Sequence, residues 1–321
     1  MPLGLGLASS HAPAIFCKPE DWPTVYAGIP EYMKASQPHT AKGETMEVIR
    51  SYVARIEAAF ATLRGQIEAY RPDALIIIGD DQGDVFDVSN MPNLAVFTGP
   101  EVWGASKPFY VEQPDPKNHI HIKVHQELAK YILKGLVKHD FDPANLAVCK
   151  PAGRPERGFT HMAMYPALSL MPKLDLPIIP ILLNEYFPPM PTGRRCWDLG
   201  VALSKILAER PERVAIYASG GLTHDPNGPR AGWIDEPLDR WILERIERNE
   251  GESLTRLFEF DSASLRGGSG EIRAWISVAG AMRRAGKVVD YFPAHHAKTG
   301  IGFAYWPPLD AAHGAIRLAA E

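Results

Sequence analysis

Hydrophobic positions along the chain follow two periods. Leu5–Ala8, Ala74–Ile78, Leu176–Leu183 and Val214–Ala218 are short runs with hardly a polar side chain. Such runs are strands buried on both faces, the pattern of a parallel sheet. Between them, apolar residues recur at three- and four-residue steps. The clearest set is Ile49, Tyr52, Val53, Ile56, Phe60, Leu63 and Ile67, one stripe of an amphipathic helix that Arg71-Pro72-Asp73 should end. Phe159–Leu170, His121–Val137, Arg194–Glu209, Pro237–Asn249, Ser253–Phe258 and Glu271–Ala285 also read as helical, and Leu146–Cys149, Val288–Tyr291 and Gly302–Trp306 as short strands. Phe16–Gly43, rich in Pro, Trp and Tyr, has no period and is expected to be a long loop with one helical turn near Glu31–Ala35. Val96–Pro116 is a loop with a short strand. The alternation predicts an α/β fold: a mixed central sheet flanked by helices, with its site at the strand carboxyl ends. Residues 1–309 are expected to form a single domain and 310–321 a C-terminal tail.

Composition narrows the partners. The chain has 321 residues, 45% hydrophobic and 22% charged, with a formal charge of −4, so there is no basic footprint for nucleic acid. No polybasic run or long apolar run points to a membrane. Three scattered cysteines, Cys17, Cys149 and Cys196, make neither a zinc pattern nor a disulfide framework, which fits a reducing cytoplasm. No secretory leader is expected at the N-terminus. The 29 prolines and 27 glycines imply shaped loops, since apolar residues are spread throughout.

Four polar positions carry candidate chemistry. His11 ends the first strand, where Ser9 or Ser10 could hold its second nitrogen; it is a metal ligand or a hydrogen-bonded structural histidine. The loop Asp80–Asp84 follows the second strand and lies beside His11 if those strands are neighbours. His224 lies in the loop after Val214–Ala218, and Glu271 follows the glycine-rich turn Arg266–Gly270. Two histidines and a carboxylate from separate loops suit a facial non-haem Fe(II) site. His295-His296 is an unusual pair, either a compensating ligand source or a solvated turn. His119 and His121 alternate, so they share a face if extended. Trp103, Tyr165, Tyr186 and Phe187 are candidate walls for an aromatic ring, and Asp225 and Asp235 read as capping residues.

The runs SSHAPA (Ser9–Ala14), GDDQGDVF (Gly79–Phe86), PPMPTGRRC (Pro188–Cys196), SGGLTHDPNGPRAG (Ser219–Gly232) and GSGEIRAWISVAGAM (Gly268–Met282) occur in this order across most of the chain. Together they resemble the class III extradiol ring-cleaving dioxygenases, with the pattern of the catalytic β subunit of protocatechuate 4,5-dioxygenase. The resemblance implies O2-dependent cleavage of a catecholic or related hydroxylated aromatic. It implies Fe(II) on His11 and Glu271, with His224 as acid/base. The family's second histidine ligand falls on Gln82, because Asn-Asp-His is replaced by Asp80-Asp81-Gln82. Three outcomes stay open: Gln82 binds weakly through oxygen; Asp80, Asp81, Asp84 or another histidine completes the shell; or the scaffold does non-oxidative hydrolase or lyase work, or binds substrate without metal. A further family histidine falls on Arg157, with His161 four residues on. Arg157 and Arg230 are candidate clamps for a substrate carboxylate, and His161 a further substrate contact. The family's small helical partner subunit has no fused counterpart here, and a homo-oligomer is expected.

Overall fold

A computed structural model describes residues 2–34, 39–226 and 228–309. In chain order the elements are β1 (Leu3–Ser9), α1 (Trp22–Ala27), α2 (Glu31–Lys34), α3 (Met46–Tyr70), β2 (Ala74–Gly79), β3 (Leu94–Phe97), β4 (Glu101–Ala105), β5 (His119–Lys123), α4 (Gln126–Lys138), β6 (Ala144–Leu146), α5 (His161–Leu170), β7 (Ile178–Leu183), α6 (Gly193–Leu207), β8 (Val214–Ser219), α7 (Glu236–Glu247), α8 (Ile272–Met282), β9 (Lys287–Ala294) and β10 (Thr299–Trp306). Eight strands form one sheet in the order β6-β3-β7-β2-β8-β1-β10-β9, and β4 pairs with β5 separately. β7, β2, β8 and β1 are parallel, while β10 and β9 run antiparallel at one edge and β3 is antiparallel to β7. This is the mixed sheet between helices that the apolar runs predict. β1, β2, β7 and β8 are buried at every residue.

The helices that cover the sheet follow their own sequences. α3 starts at Thr45, whose hydroxyl accepts the Val48 N–H. It ends at Arg71 in the left-handed region, just before Pro72. Its buried face is Ile49, Ile56, Ala59, Phe60, Leu63, Ile67 and Tyr70. α8 is buried at every residue, wedged between the sheet and α6. A Cβ on Gly200 of α6 would lie 1.9 Å from the Ser277 carbonyl oxygen of α8, so only glycine permits that approach.

Several expectations change. β1 and β2 are not neighbours, because β8 lies between them. His121–Val137 is not one helix: His119–Lys123 alternates as a strand and the helix begins at Gln126. His119 stacks on Trp103 and His121 faces Glu101, each a local contact. Ser253–Phe258 is a 3-10 segment over Gly251–Arg256. The expected tail 310–321 and the end of the turn at Ala35 lie outside the described residues.

Candidate active site

Register brings the site together. Ser9 pairs with Ser219 and Ile78 with Ala218, so β1, β8 and β2 end at one level. The segments that leave them converge over the end of β8. His11 arrives from β1, the acidic loop from β2, and Gly220–His224 from β8. A 3-10 turn, Gly267–Glu271, brings Glu271 in from the opposite side, and Trp275 anchors it by donating its indole N–H to the Gly220 carbonyl at 2.8 Å.

The state of His11 follows from its partners. The Ser219 hydroxyl has one proton, which it donates to the Met162 carbonyl at 2.7 Å. Its oxygen therefore accepts from His11 Nδ1–H at 3.0 Å, leaving Nε2 bare. Nε2 faces Asp80 Oδ1 at 3.4 Å and Glu271 Oε2 at 3.5 Å. Neither His11 Nε2 nor either oxygen of Asp80 makes a hydrogen bond among the described residues, although all are buried. Burial lowers the His11 pKa, and it raises Asp80 well above the usual carboxylate range, with Glu271 adding to the rise. Bare nitrogen and carboxylate oxygens gathered around one point are the donor set that a divalent cation requires. The residues fit a metal.

The acidic loop divides its labour. Asp81 accepts the backbone N–H groups of Val85 and Phe86 and braces the loop. Asp84 accepts from Arg154 at 2.8 Å and engages His161 Nδ1 at 2.9 Å, fixing that ring. Burial pulls the His161 pKa down, but the bond to Asp84 and the charges of Asp80 and Asp84 prevail and carry it to about 9. Gln82 does not present a carbonyl oxygen to the carboxylate. The amide atom 2.9 Å from Glu271 Oε1 is opposite an acceptor, so it is the nitrogen, which also donates to Tyr186 at 3.0 Å. A reading of Gln82 as an oxygen ligand beside Glu271 meets an N–H donor there instead.

Glu271 is a hub for hydrogen bonds. Oε1 accepts from Gln82 and from the Tyr186 hydroxyl at 2.7 Å, and Oε2 accepts the Gly221 N–H at 2.6 Å. Burial would raise its pKa, but His224 and His11 outweigh burial and hold it well below the usual range. His224 donates Nδ1–H to the Leu222 carbonyl at 2.9 Å, which turns Nε2 toward Glu271 Oε1 at 3.3 Å. Burial opposes the charged ring, yet Glu271 raises its pKa above 6.5. Gly268 lets this imidazole in: a Cβ there would sit 2.1 Å from His224 Nε2.

A cavity of about 440 Å³ opens on these groups. His11, Gln82, His161, His224 and Glu271 line it, as do Arg157 and Lys298. Arg157 lies over the Phe109 ring and 3.8 Å from Asp84, and Lys298 donates to the Pro226 carbonyl. Arg230 does not line it; its guanidinium lies over Trp233, beside a separate small pocket. Of the proposed aromatic walls, Tyr165 lines the cavity and Tyr186 reaches Glu271, whereas Trp103 packs on His119 and Phe187 borders another hollow. His295-His296 is neither a ligand pair nor a solvated turn, because Glu44 accepts both backbone N–H groups and engages His296 Nδ1 at 2.6 Å. Asp225 and Asp235 brace their turns as expected, accepting from Gly228 and Leu238. Sequence reasoning gave no role to Lys298 or Ser219. Their signal is positional alone: one sits in the last hairpin, the other ends a buried strand.

The fold and cavity define an α/β protein with imidazole and carboxylate donors converging at strand carboxyl ends. Residues 29–302 match the family described as the catalytic LigB subunit of aromatic ring-opening dioxygenase, and the chain belongs to that family. It is 27% identical over 177 residues to a gallate dioxygenase of Pseudomonas putida, covering 53% of this chain and 49% of that one. It is 26% identical over 214 residues to a 2,3-dihydroxyphenylpropionate/2,3-dihydroxicinnamic acid 1,2-dioxygenase of Cupriavidus necator, covering 64% and 61%. The matches thus span about half to three-fifths of the length of these relatives. An uncharacterized protein, JW3007, from Escherichia coli K12 superposes with a TM-score of 0.49 at 12% identity, over 94% of this chain and 99% of that one. Among the described residues, no helix is long and apolar enough to cross a membrane.

Proposed function

We propose that this chain is a ring-cleaving dioxygenase that opens a catecholic or related hydroxylated aromatic with O2, using Fe(II), with His224 as acid/base. The observation that carries the reading is His11 Nε2, bare and buried, facing the carboxylates of Asp80 and Glu271, with His11, Glu271 and His224 lining one cavity. Membership of a ring-opening family supports it. Fe(II) held there would bring both reactants to one point and draw charge from the substrate oxygens. The protein's own part is proton handling and orientation. His224 Nε2 takes a proton from a substrate hydroxyl and later returns one, with its other nitrogen pinned to Leu222. Tyr186 and Gln82 keep Glu271 a hydrogen-bonded anion beside that imidazole, so the imidazolium formed is matched by a fixed charge. Arg157 and Lys298 give the cavity a cationic rim suited to an acidic substituent on the ring.

The test is iron loading under anaerobic conditions followed by O2 uptake with a panel of catechols. One iron per chain, with uptake matching ring-opened product, is expected. Turnover that persists in chelator would overturn the reading in favour of hydrolase or lyase chemistry.

A further inference from the structure

We propose that the metal is held by His11, Asp80 and His161, a two-histidine, one-carboxylate set assembled without Gln82. The inference rests on the metal-dependent reading above and goes beyond it by assigning the ligands. One ligand atom from each of these residues lies within 4.8 Å of the other two, and all three residues are buried. Donors about 2.1 Å from a shared ion lie ~3 Å apart when adjacent, so the set closes with small movements. His11 Nε2 and Asp80 Oδ1 are already 3.4 Å apart.

Each ligand is prepared from outside. Ser219 holds the far nitrogen of His11, and Asp84 holds Nδ1 of His161, leaving Nε2 on each ring as the nitrogen to offer, that of His161 once the cation displaces its proton. A carboxylate or hydroxyl behind a histidine is the usual support of a metal ligand. Arg154 fixes Asp84 in turn. Both oxygens of Asp80 are buried and without a hydrogen bond among the described residues; the same holds for Glu185, but only Asp80 offers an oxygen within reach of both histidines. An unpaired buried carboxyl is costly, and a cation in contact with it removes that cost.

Glu271 differs in this respect. Its oxygens already accept from Tyr186, Gln82 and Gly221. In this assignment Glu271 is the anion of the proton-handling group with His224, and Gln82 is its clamp. The imidazole missing at position 82 is replaced by His161 from the other side of the loop.

Pulsed EPR of the full chain loaded with Mn(II) counts bound imidazole nitrogens and does not depend on turnover. Two are expected, falling to one in His161→Gln. Mn(II) affinity should drop in Asp80→Asn by more than the ~10–100-fold that loss of an outer partner costs, and in Glu271→Gln by no more than that. Asp80→Asn is nearly isosteric, and thermal melts of each variant report folding. A single imidazole nitrogen in the wild type, with Asp80→Asn binding normally and Glu271→Gln not, would overturn this ligand set and leave a metalloenzyme standing. Absence of binding by the wild type would remove the metal reading itself.

Discussion

His224 is decided at the level of single atoms. Its Nδ1–H is committed to the Leu222 carbonyl, so any proton exchange with a ligand would run through Nε2. His224→Ala should lower turnover by ~10²–10⁴-fold, the usual share of a positioned acid/base. Substrate binding, read by calorimetry, should change little. Turnover at the parental rate would remove the acid/base role. Gln82 carries a second prediction. Gln82→Ala deletes an N–H donor to Glu271 and Tyr186. It should leave Mn(II) affinity within about tenfold of wild type, whereas a ligand would cost far more. Loss of the ion in this variant would return Gln82 to the shell. The positions of His11, His224 and Glu271 were legible in short runs of sequence. The division of labour among Asp80, Asp81 and Asp84 was not, because three aspartates in one loop look alike until backbone donors, an arginine and a histidine claim two of them.

Helix α8 sets where Glu271 stands, and α6 sets where α8 stands. Their contact is close because Gly200 offers no side chain to the Ser277 carbonyl. Gly200→Ala should cost ~1–3 kcal/mol, the range for forcing a methyl into packed structure. Urea denaturation measures it, and an unchanged midpoint would show that α6 slides freely. The period of apolar residues made α3 and the buried strands readable. It could not place β8 between β1 and β2, since strand order depends on contacts between residues far apart in the chain. The end of β5, residues 121–123, reads as part of the helix because that helix follows closely at Gln126.

At the scale of the whole molecule, Asp239 ties α7 to β9 and to the loop that carries His224. It accepts from the Thr223 N–H and the Tyr291 hydroxyl, each at 2.9 Å. Burial pushes its carboxyl up to about 7. An unfolded aspartate ionises near ~3.9, so the neutral group contributes stability fully below that pH and loses it as pH rises through about 7. The loss is of order ~4 kcal/mol at three pH units. Asp239→Asn should therefore flatten the stability curve between pH ~4 and ~7 and raise the melting temperature at pH 8. Parallel curves for the two proteins would refute this. A longer chain of cause runs through the centre of the sheet. A main-chain oxygen on α5, at Met162, orients a hydroxyl on β8, and that hydroxyl selects the tautomer presented by a ring beyond β1. Position 219 alone thus governs which nitrogen His11 turns toward Asp80 and Glu271. A cousin with alanine there would keep every direct contact yet let the ring choose either nitrogen.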